Sequence, residues 1–419
     1  MHREALARLV AVATLLVVLV FALLFSVSQV WRADALAGAI DPARWAEQYP
    51  QHYASFLRTE QSDTTTPHGG NLPVDLLAAN PFRARAFAGC SFALGYTAAR
   101  GHVYALEDQR SSQRTLELRQ PAGCINCHAA EAPQLVASMG WDALHALDYD
   151  DVKGNLHFGS SCSDCHAPGT MALAITRPAL RNALQAQGID PAELSTEELR
   201  TYVCAQCHVE YYFQGEGELL VFPWTQGRRV EDIEAYYDAV GHTDWVHAES
   251  GAPLLKVQHP ETELAGLGMH ATLGVSCADC HMPKVAEQGF TISDHWIRSP
   301  LLQLEAACLG CHRRGTASSL EARVVAIQDA TVALSATAEH EIASLLDAIV
   351  AVRTSGSGAD VLAPAQLAHR RAQFRWDFID AENSTGFHAS EEAQRLLLDA
   401  AELARAGRVA LESRATTVP

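Results

Sequence analysis

Positive charge is scarce in this sequence. Lysine and arginine together number 31 against 49 aspartates and glutamates, a formal net charge of −18 over 419 residues. Such a chain repels phosphate backbones, which excludes nucleic acid as a partner. An anionic substrate needs a local positive pocket set against that field. Charge of either sign is missing altogether from residues 9–27, L-V-A-V-A-T-L-L-V-V-L-V-F-A-L-L-F-S-V, a run of 19 residues that approaches the ~20 needed to cross a bilayer as a helix. Arg3 and Arg8 precede it and keep the amino terminus inside. A secretory signal has a shorter apolar core with a small-residue cleavage site just after it. The stretch therefore reads as an uncleaved anchor over residues 1–31, with a late cleavage at Ala33 and Ala35 as the alternative. In both cases the rest of the chain is exported.

Cysteine is almost absent outside one pattern. Ten of the eleven cysteines form the pairs Cys124/Cys127, Cys162/Cys165, Cys204/Cys207, Cys277/Cys280 and Cys308/Cys311, each followed at once by a histidine: His128, His166, His208, His281 and His312. Zinc modules use two C-x-x-C pairs at a regular short separation; here the separations vary widely and every pair has its own histidine. C-x-x-C-H is the attachment site of c-type haem, in which two thiols add to the macrocycle and the imidazole is held under the iron. Five such sites imply five covalently bound haems. The eleventh cysteine, Cys90 in A-G-C-S-F-A-L-G-Y, reads as a small buried apolar residue.

Regular structure is also short where the haem sites lie. Residues 62–70, S-D-T-T-T-P-H-G-G, have no apolar periodicity and read as a loop. Over 124–312 the motif spacing leaves room only for short helices and loops. Beyond His312 the pattern changes. Leu320, Val324, Ile327, Leu334, Ile342, Leu345 and Ile349 recur at helical steps and mark one face of a long helix. T-S-G-S-G-A-D at 354–360 is a turn, a second helical stretch starts near Pro364, and Ser390 with Glu391 and Glu392 opens a third. The fold class is mainly α: a multihaem body over 32–317, then long carboxyl-terminal helices over 318–419.

The blocks A-R-G-H-V-Y-A-L, C-S-D-C-H-A-P-G-T-M-A-L-A-I-T-R-P-A-L, V-C-A-Q-C-H-V-E-Y-Y-F, L-L-K-V-Q-H-P-E, C-A-D-C-H-M-P-K and R-W-D-F-I-D-A-E-N-S-T-G-F-H resemble, in number and order, the pentahaem ammonia-forming cytochrome c nitrite reductases, from about residue 80 to the carboxyl terminus. The resemblance implies that His102, His270, His295 and His388 are distal ligands of four haems and that the first haem, on Cys124 and Cys127, is open to substrate. Many members of that family read C-x-x-C-K there; this chain has His128, which replaces an amine donor with an imidazole. The resemblance places Arg100, Tyr211 and His259 above the open iron, where Arg100 and protonated His259 would hold nitrite, Tyr211 would donate a hydrogen bond and His259 would relay protons. It assigns Glu210, Tyr211, Lys256 and Gln258 to a Ca²⁺ site, with Tyr211 and Lys256 serving through backbone carbonyls. It also implies a quinol-linked haem protein as electron donor and a homodimer packed through the long helices. The other histidines, among them His52, His68, His145, His157, His242, His247, His340 and His369, read as surface or packing residues. The leading reading is six-electron reduction of nitrite to ammonium. A pure electron carrier, or a multihaem reductase of hydroxylamine or a sulfur oxyanion, are the alternatives.

Overall fold

The computed structural model describes residues 10, 12–23, 39–215, 218–356 and 358–415. Among them no helix is long and apolar enough to cross a membrane. Residues 12–23 are helical, and much of the remaining 9–27 stretch lies outside the described residues.

From residue 39 to about 312 the chain is a succession of short helices, one-turn 3₁₀ segments and two-stranded hairpins, with no larger sheet among the described residues. Four helices there position the site: α1 (Ala105–Ser111), α2 (Gln113–Glu117), α3 (Ile125–His128) and α4 (Glu261–Leu267). Ser112 ends α1 and starts α2, and its hydroxyl accepts the Thr115 N–H, so the chain turns at one capping residue. The segment read as a loop at 62–70 contains a minimal hairpin, Thr65–Thr66 against Gly69–Gly70. Two residues per strand are too few to leave a periodic signal.

The long helices follow: α5 (Ala317–Thr354), α6 (Ala359–Asp380) and α7 (Ser390–Ala415). At the start of α5, Thr316 and Ser319 cap one another, each hydroxyl accepting the other's N–H. The predicted stripe divides in two. Ile342, Leu345 and Ile349 are fully buried, whereas Leu320, Val324 and Ile327 are only half-buried. The second helix starts at Ala359, so Pro364 lies in its second turn, not its first. The proline removes one N–H that Asp360 O would have accepted, a loss tolerated this near a helix end.

The largest apolar cluster joins all three helices to the middle of the chain. It runs from Ala86 and Phe87 through Tyr237, Leu254 and Val257 to Phe374, Trp376, Leu396 and Leu411. Smaller clusters centre on Ile125, Leu144 and Leu156, and on Leu180, Leu184 and Trp224. Cys90 is buried beside the main cluster as expected, and burial pushes its thiol up to about 11. His145, His247 and His369 are core residues, each about 1% exposed or less, which decides between the two roles left open for them.

Candidate active site

One helical turn explains the local geometry of the motifs. Cysteines three apart project from the same face, and the histidine that follows donates its backbone N–H to the first cysteine's carbonyl: His166 to Cys162 at 2.9 Å, His208 to Cys204 at 3.0 Å and His312 to Cys308 at 2.9 Å. All ten motif cysteines are free thiols, as covalent attachment of haem requires.

The five sites are not equally enclosed by the chain. Nine motif cysteines are partly covered by the surrounding chain, whereas Cys311 is exposed. Its place in the chain is the reason. Residues 310–314 are all exposed and form the turn that leads out of the multihaem body toward α5. The turn itself is intact, with the Cys311 N–H donating to the Cys308 carbonyl at 3.2 Å. The fifth motif therefore keeps the local shape for haem attachment but lies at the rim, with its second thiol turned to solvent.

The rings give the second half of the fit. Two imidazoles on opposite sides of one metal, each nitrogen about 2 Å away, have ring centres roughly 6 Å apart. His208 faces His102 at 6.1 Å, His166 faces His295 at 6.2 Å, His281 faces His388 at 6.2 Å, and His312 faces His270 at 6.2 Å. Every histidine singled out in sequence as a distal ligand therefore stands opposite one motif histidine. Glycines make the approach possible. A Cβ on Gly101 would overlap the Thr59 carbonyl, and one on Gly268 would overlap the His388 carbonyl. The motifs also approach one another. The Cys127 thiol contacts that of Cys207, and the Cys204 thiol contacts that of Cys277. The third haem site thus sits between the first and the fourth.

His128 has no such partner among the described residues. Its Nδ1 is held by the Ala105 carbonyl at 2.9 Å, so its other nitrogen faces the position an iron takes. The neighbouring groups are Tyr211, His259 and Arg114. The Arg114 charge acts on His128, Cys124, Tyr211 and His259. Its guanidinium lies over the Phe92 ring at 4.3 Å and donates to the Phe92 carbonyl at 3.1 Å. Burial pushes the Tyr211 phenol well above its usual range, which keeps it a proton donor. Burial lowers His259; Glu261 is the strongest opposing pull, and His208, Lys256 and Arg114 each lower it further. These influences favour the neutral form of His259 while no anion is near.

Arg100 is not brought to this group. Its Nη2 bonds Asp108 at 2.5 Å and Glu107 at 3.0 Å, and its guanidinium stacks on Tyr104 at 3.7 Å. Two carboxylates already neutralise it, so it is unsuited to hold a free anion. Arg114, at the start of α2, takes the place expected of it. The family resemblance pointed to Arg100, and no local feature of the sequence showed that Glu107 and Asp108, seven and eight residues further on, would neutralise it.

The four residues expected to hold a cation do converge. Glu210 is buried, with Oε1 accepting from Tyr237 and Oε2 from the Gln258 backbone, both at 2.7 Å. Burial and the nearby Glu263 and Asp244 carboxylates push its carboxyl well above the usual range. Gln258 Oε1 and Glu263 Oε2 are buried without a hydrogen-bond donor, and burial pushes Glu263 up to about 7. Unpartnered oxygen donors beside under-compensated carboxylates suit Ca²⁺. The Lys256 ammonium is turned away into an ion pair with Asp377, which leaves its carbonyl as the possible donor. Glu263 was not anticipated; G-M-H and H-P-E-T-E give no local sign that its carboxylate turns inward.

A family model described as cytochrome c552 matches residues 41–418. The chain belongs to the cytochrome c552 family. Among its relatives, cytochrome c-552 of Parabacteroides distasonis is 38% identical over 373 residues, spanning 88% of this chain and 75% of that one. Cytochrome c-552 of Porphyromonas gingivalis is 36% identical over 368 residues, spanning 86% and 74%. The solved cytochrome c nitrite reductase of Desulfovibrio desulfuricans, a catalytic subunit described with two calcium sites, superposes with a TM-score of 0.83 at 32% identity, covering 89% of this chain and 86% of that one. As a member of the cytochrome c552 family the chain is a mainly helical, multihaem c-type cytochrome, in agreement with the fold class and cofactors read from its sequence.

Proposed function

We propose that this protein is an exported pentahaem enzyme that reduces nitrite to ammonium in six electrons at the haem carried by Cys124 and Cys127. The observation that carries the reading is the asymmetry among the motif histidines. Four face a second histidine at ligand-pair distance, whereas His128 has no such partner among the described residues and feels the charges of Arg114 and His259, with Tyr211 beside its motif cysteines. A pure electron carrier has no use for an arginine, a tyrosine and a histidine gathered at one ring.

In this reading His102, His270, His295 and His388 close the third, fifth, second and fourth haems, and His128 is the proximal ligand of the first. The open iron supplies a coordination position and the electrons. Arg114 holds the anion's charge, since a guanidinium stays protonated throughout. Tyr211 donates a hydrogen bond to a nitrite oxygen. His259, neutral until the anion enters, gains proton affinity from that negative charge and passes protons to the departing oxygens. Glu210, Gln258 and the carbonyls of Tyr211 and Lys256 hold Ca²⁺, which fixes the segments that carry Tyr211 and His259.

The amino-terminal apolar stretch anchors the chain to the cytoplasmic membrane, with the haem body on the outer face. A quinol-linked haem protein supplies electrons, and two copies pair through α5, whose first half leaves Leu320, Val324 and Ile327 incompletely covered. A steady-state assay with reduced viologen tests the central claim. Nitrite consumption matched by ammonium release supports it; electron transfer without nitrite turnover, or a preference for hydroxylamine or sulfite, overturns it.

A further inference from the structure

Six of the nine haem-facing histidines have Nδ1 close to a backbone carbonyl or a carboxylate, and these neighbours fall into two classes. Nδ1 of His128, His166, His281 and His295 lies against a backbone carbonyl: Ala105 at 2.9 Å, Met171 at 2.9 Å, Arg298 at 3.1 Å and Ser293 at 2.8 Å. Two rings instead meet carboxylates. His388 Nδ1 is 2.5 Å from Glu382 Oε1, and His208 Nδ1 is 3.6 Å from Glu261 Oε2.

Both carboxylates are buried and braced. Glu382 is 3% exposed and accepts from Ser384 N at 3.1 Å, Ser384 Oγ at 2.7 Å and Gly386 N at 3.4 Å. Glu261 is 8% exposed; Asn383 secures its Oε1 through both side-chain and backbone N–H groups. Glu261 Oε2 is buried without a hydrogen-bond donor, and His208 Nδ1, 3.6 Å away, is its ion-pair partner. Asn383 and Glu382 are sequence neighbours, so one turn after α6 fixes both contacts.

A carbonyl orients an imidazole through a dipole, whereas a carboxylate does so with a full negative charge. The latter makes the ligand more basic and the oxidised metal more stable. Building on the ligand pairs proposed above, we propose that Glu261 and Glu382 are positioning residues that lower the reduction potentials of the third and fourth haems relative to the second, whose two histidines both meet carbonyls. The third haem site adjoins the first through the Cys127 and Cys207 thiols. A lowered potential makes the third haem a stronger electron donor to the neighbouring first haem, which favours completing the multi-electron reduction over stalling part-way.

The test is potentiometric titration of the haem-loaded protein, followed by visible absorption and paramagnetic resonance, in Glu382→Gln and Glu261→Gln. Each variant keeps the shape and removes the charge. Each is expected to make reduction of one haem, and a different one in each variant, easier by at least tenfold, about 59 mV for one electron. The g values of that haem's low-spin signal should change with it. The wave that loses its low-spin signal in His388→Ala identifies the fourth haem. Potentials that do not move, or five that move together by the same amount, overturn the proposal. If Glu382→Gln loads haem incompletely, Glu261→Gln decides alone. Absence of four low-spin haems in the unaltered protein refutes the ligand pairing itself; four intact signals with unmoved potentials refute only the tuning.

Discussion

Lys256 and Asp377 form an ion pair with no exposed side-chain surface on either partner. Nζ lies 2.8 Å from one carboxylate oxygen and 3.0 Å from the other, with the Phe87 ring 4.6 Å from the ammonium. The pair ties the segment bearing Gln258 and His259 to α6, and Asp377 also accepts the Val257 N–H at 2.8 Å. Lys256→Met strands a buried carboxylate and should cost about 3–5 kcal/mol of stability. The double variant Lys256→Met/Asp377→Leu should recover much of that loss, because no charge is left unpaired. Denaturant titration of the two variants checks the order; a single variant as stable as the parent would show that the pair is not desolvated.

Arg114→Ala should lower kcat/KM for nitrite by roughly 10²–10³ while all five haems stay bound. Arg100→Ala, which removes a cation already neutralised by Glu107 and Asp108, should change nitrite turnover by less than about threefold. The reverse ranking in a steady-state assay would return the anion-holding role to Arg100.

The oxidised protein should show a minority high-spin signal from the first haem, perturbed by nitrite or cyanide before any other. His388→Ala should convert one low-spin centre to high spin and leave three. Five low-spin, nitrite-indifferent centres in the unaltered protein would make the first haem part of a wire. His128→Lys should keep the first haem open and retain measurable nitrite reduction once haem attachment is verified.

Removing Ca²⁺ with a chelator should reduce nitrite turnover at least tenfold, and Ca²⁺ should restore it better than Mg²⁺, which demands a tighter octahedron than these donors form. Gln258→Leu should show low activity with or without added Ca²⁺. Metal analysis of the purified protein gives the independent readout.

Stability should fall with acid through a histidine outside the haem-attachment motifs. His369 is wholly buried. Its Nδ1 meets Ser250 Oγ at 3.0 Å and its Nε2 meets Gln373 Oε1 at 2.9 Å. Burial, reinforced by His247, pushes it down to about 3 in the folded chain, against ~6.5 unfolded. The unfolded state therefore binds a proton that the folded state refuses. The contribution is intact above about pH 6.5 and is lost as pH falls toward about 3, at roughly 1.4 kcal/mol per pH unit. His369→Gln should flatten that slope in denaturant titrations at pH 7 and pH 5. An unchanged slope would place the titrating group elsewhere.

What was legible in the sequence follows physical scale. The haem sites are contiguous and chemically unusual, so C-x-x-C-H declared them without any fold. Their enclosure was not declared: the fifth motif reads like the other four, and only the folded chain shows Cys311 at the surface. The long helices were visible because their apolar residues repeat over many turns, although the start of α6 was misplaced by reading Pro364 as a first-turn residue. The four distal histidines came from the family resemblance, and each ring stands 6.1–6.2 Å from one motif histidine. Arg100 was misread because a catalytic cation is defined by which charges surround it in space. Glu107 and Asp108 fold back onto Arg100, and only the folded chain reveals that Arg114 escapes such pairing. Glu261, Glu263 and Glu382 were passed over for the same reason: a carboxylate is usually solvated, and nothing in one dimension announces that it is not.

The pairing of His281 with His388 also bears on biosynthesis. The fourth haem attaches at Cys277 and Cys280, but the ring facing His281 comes from residue 388, after the last attachment motif and beyond two of the three long helices. In the proposed ligand scheme, a chain emerging from the export channel holds every haem-attachment cysteine before it holds the group that closes the fourth iron. Until the final helix hairpin folds back, that nascent protein has two reactive irons instead of one. A frameshift between the last attachment motif and residue 388 would leave a pigmented, fully haem-bearing product with a second, misplaced reaction centre.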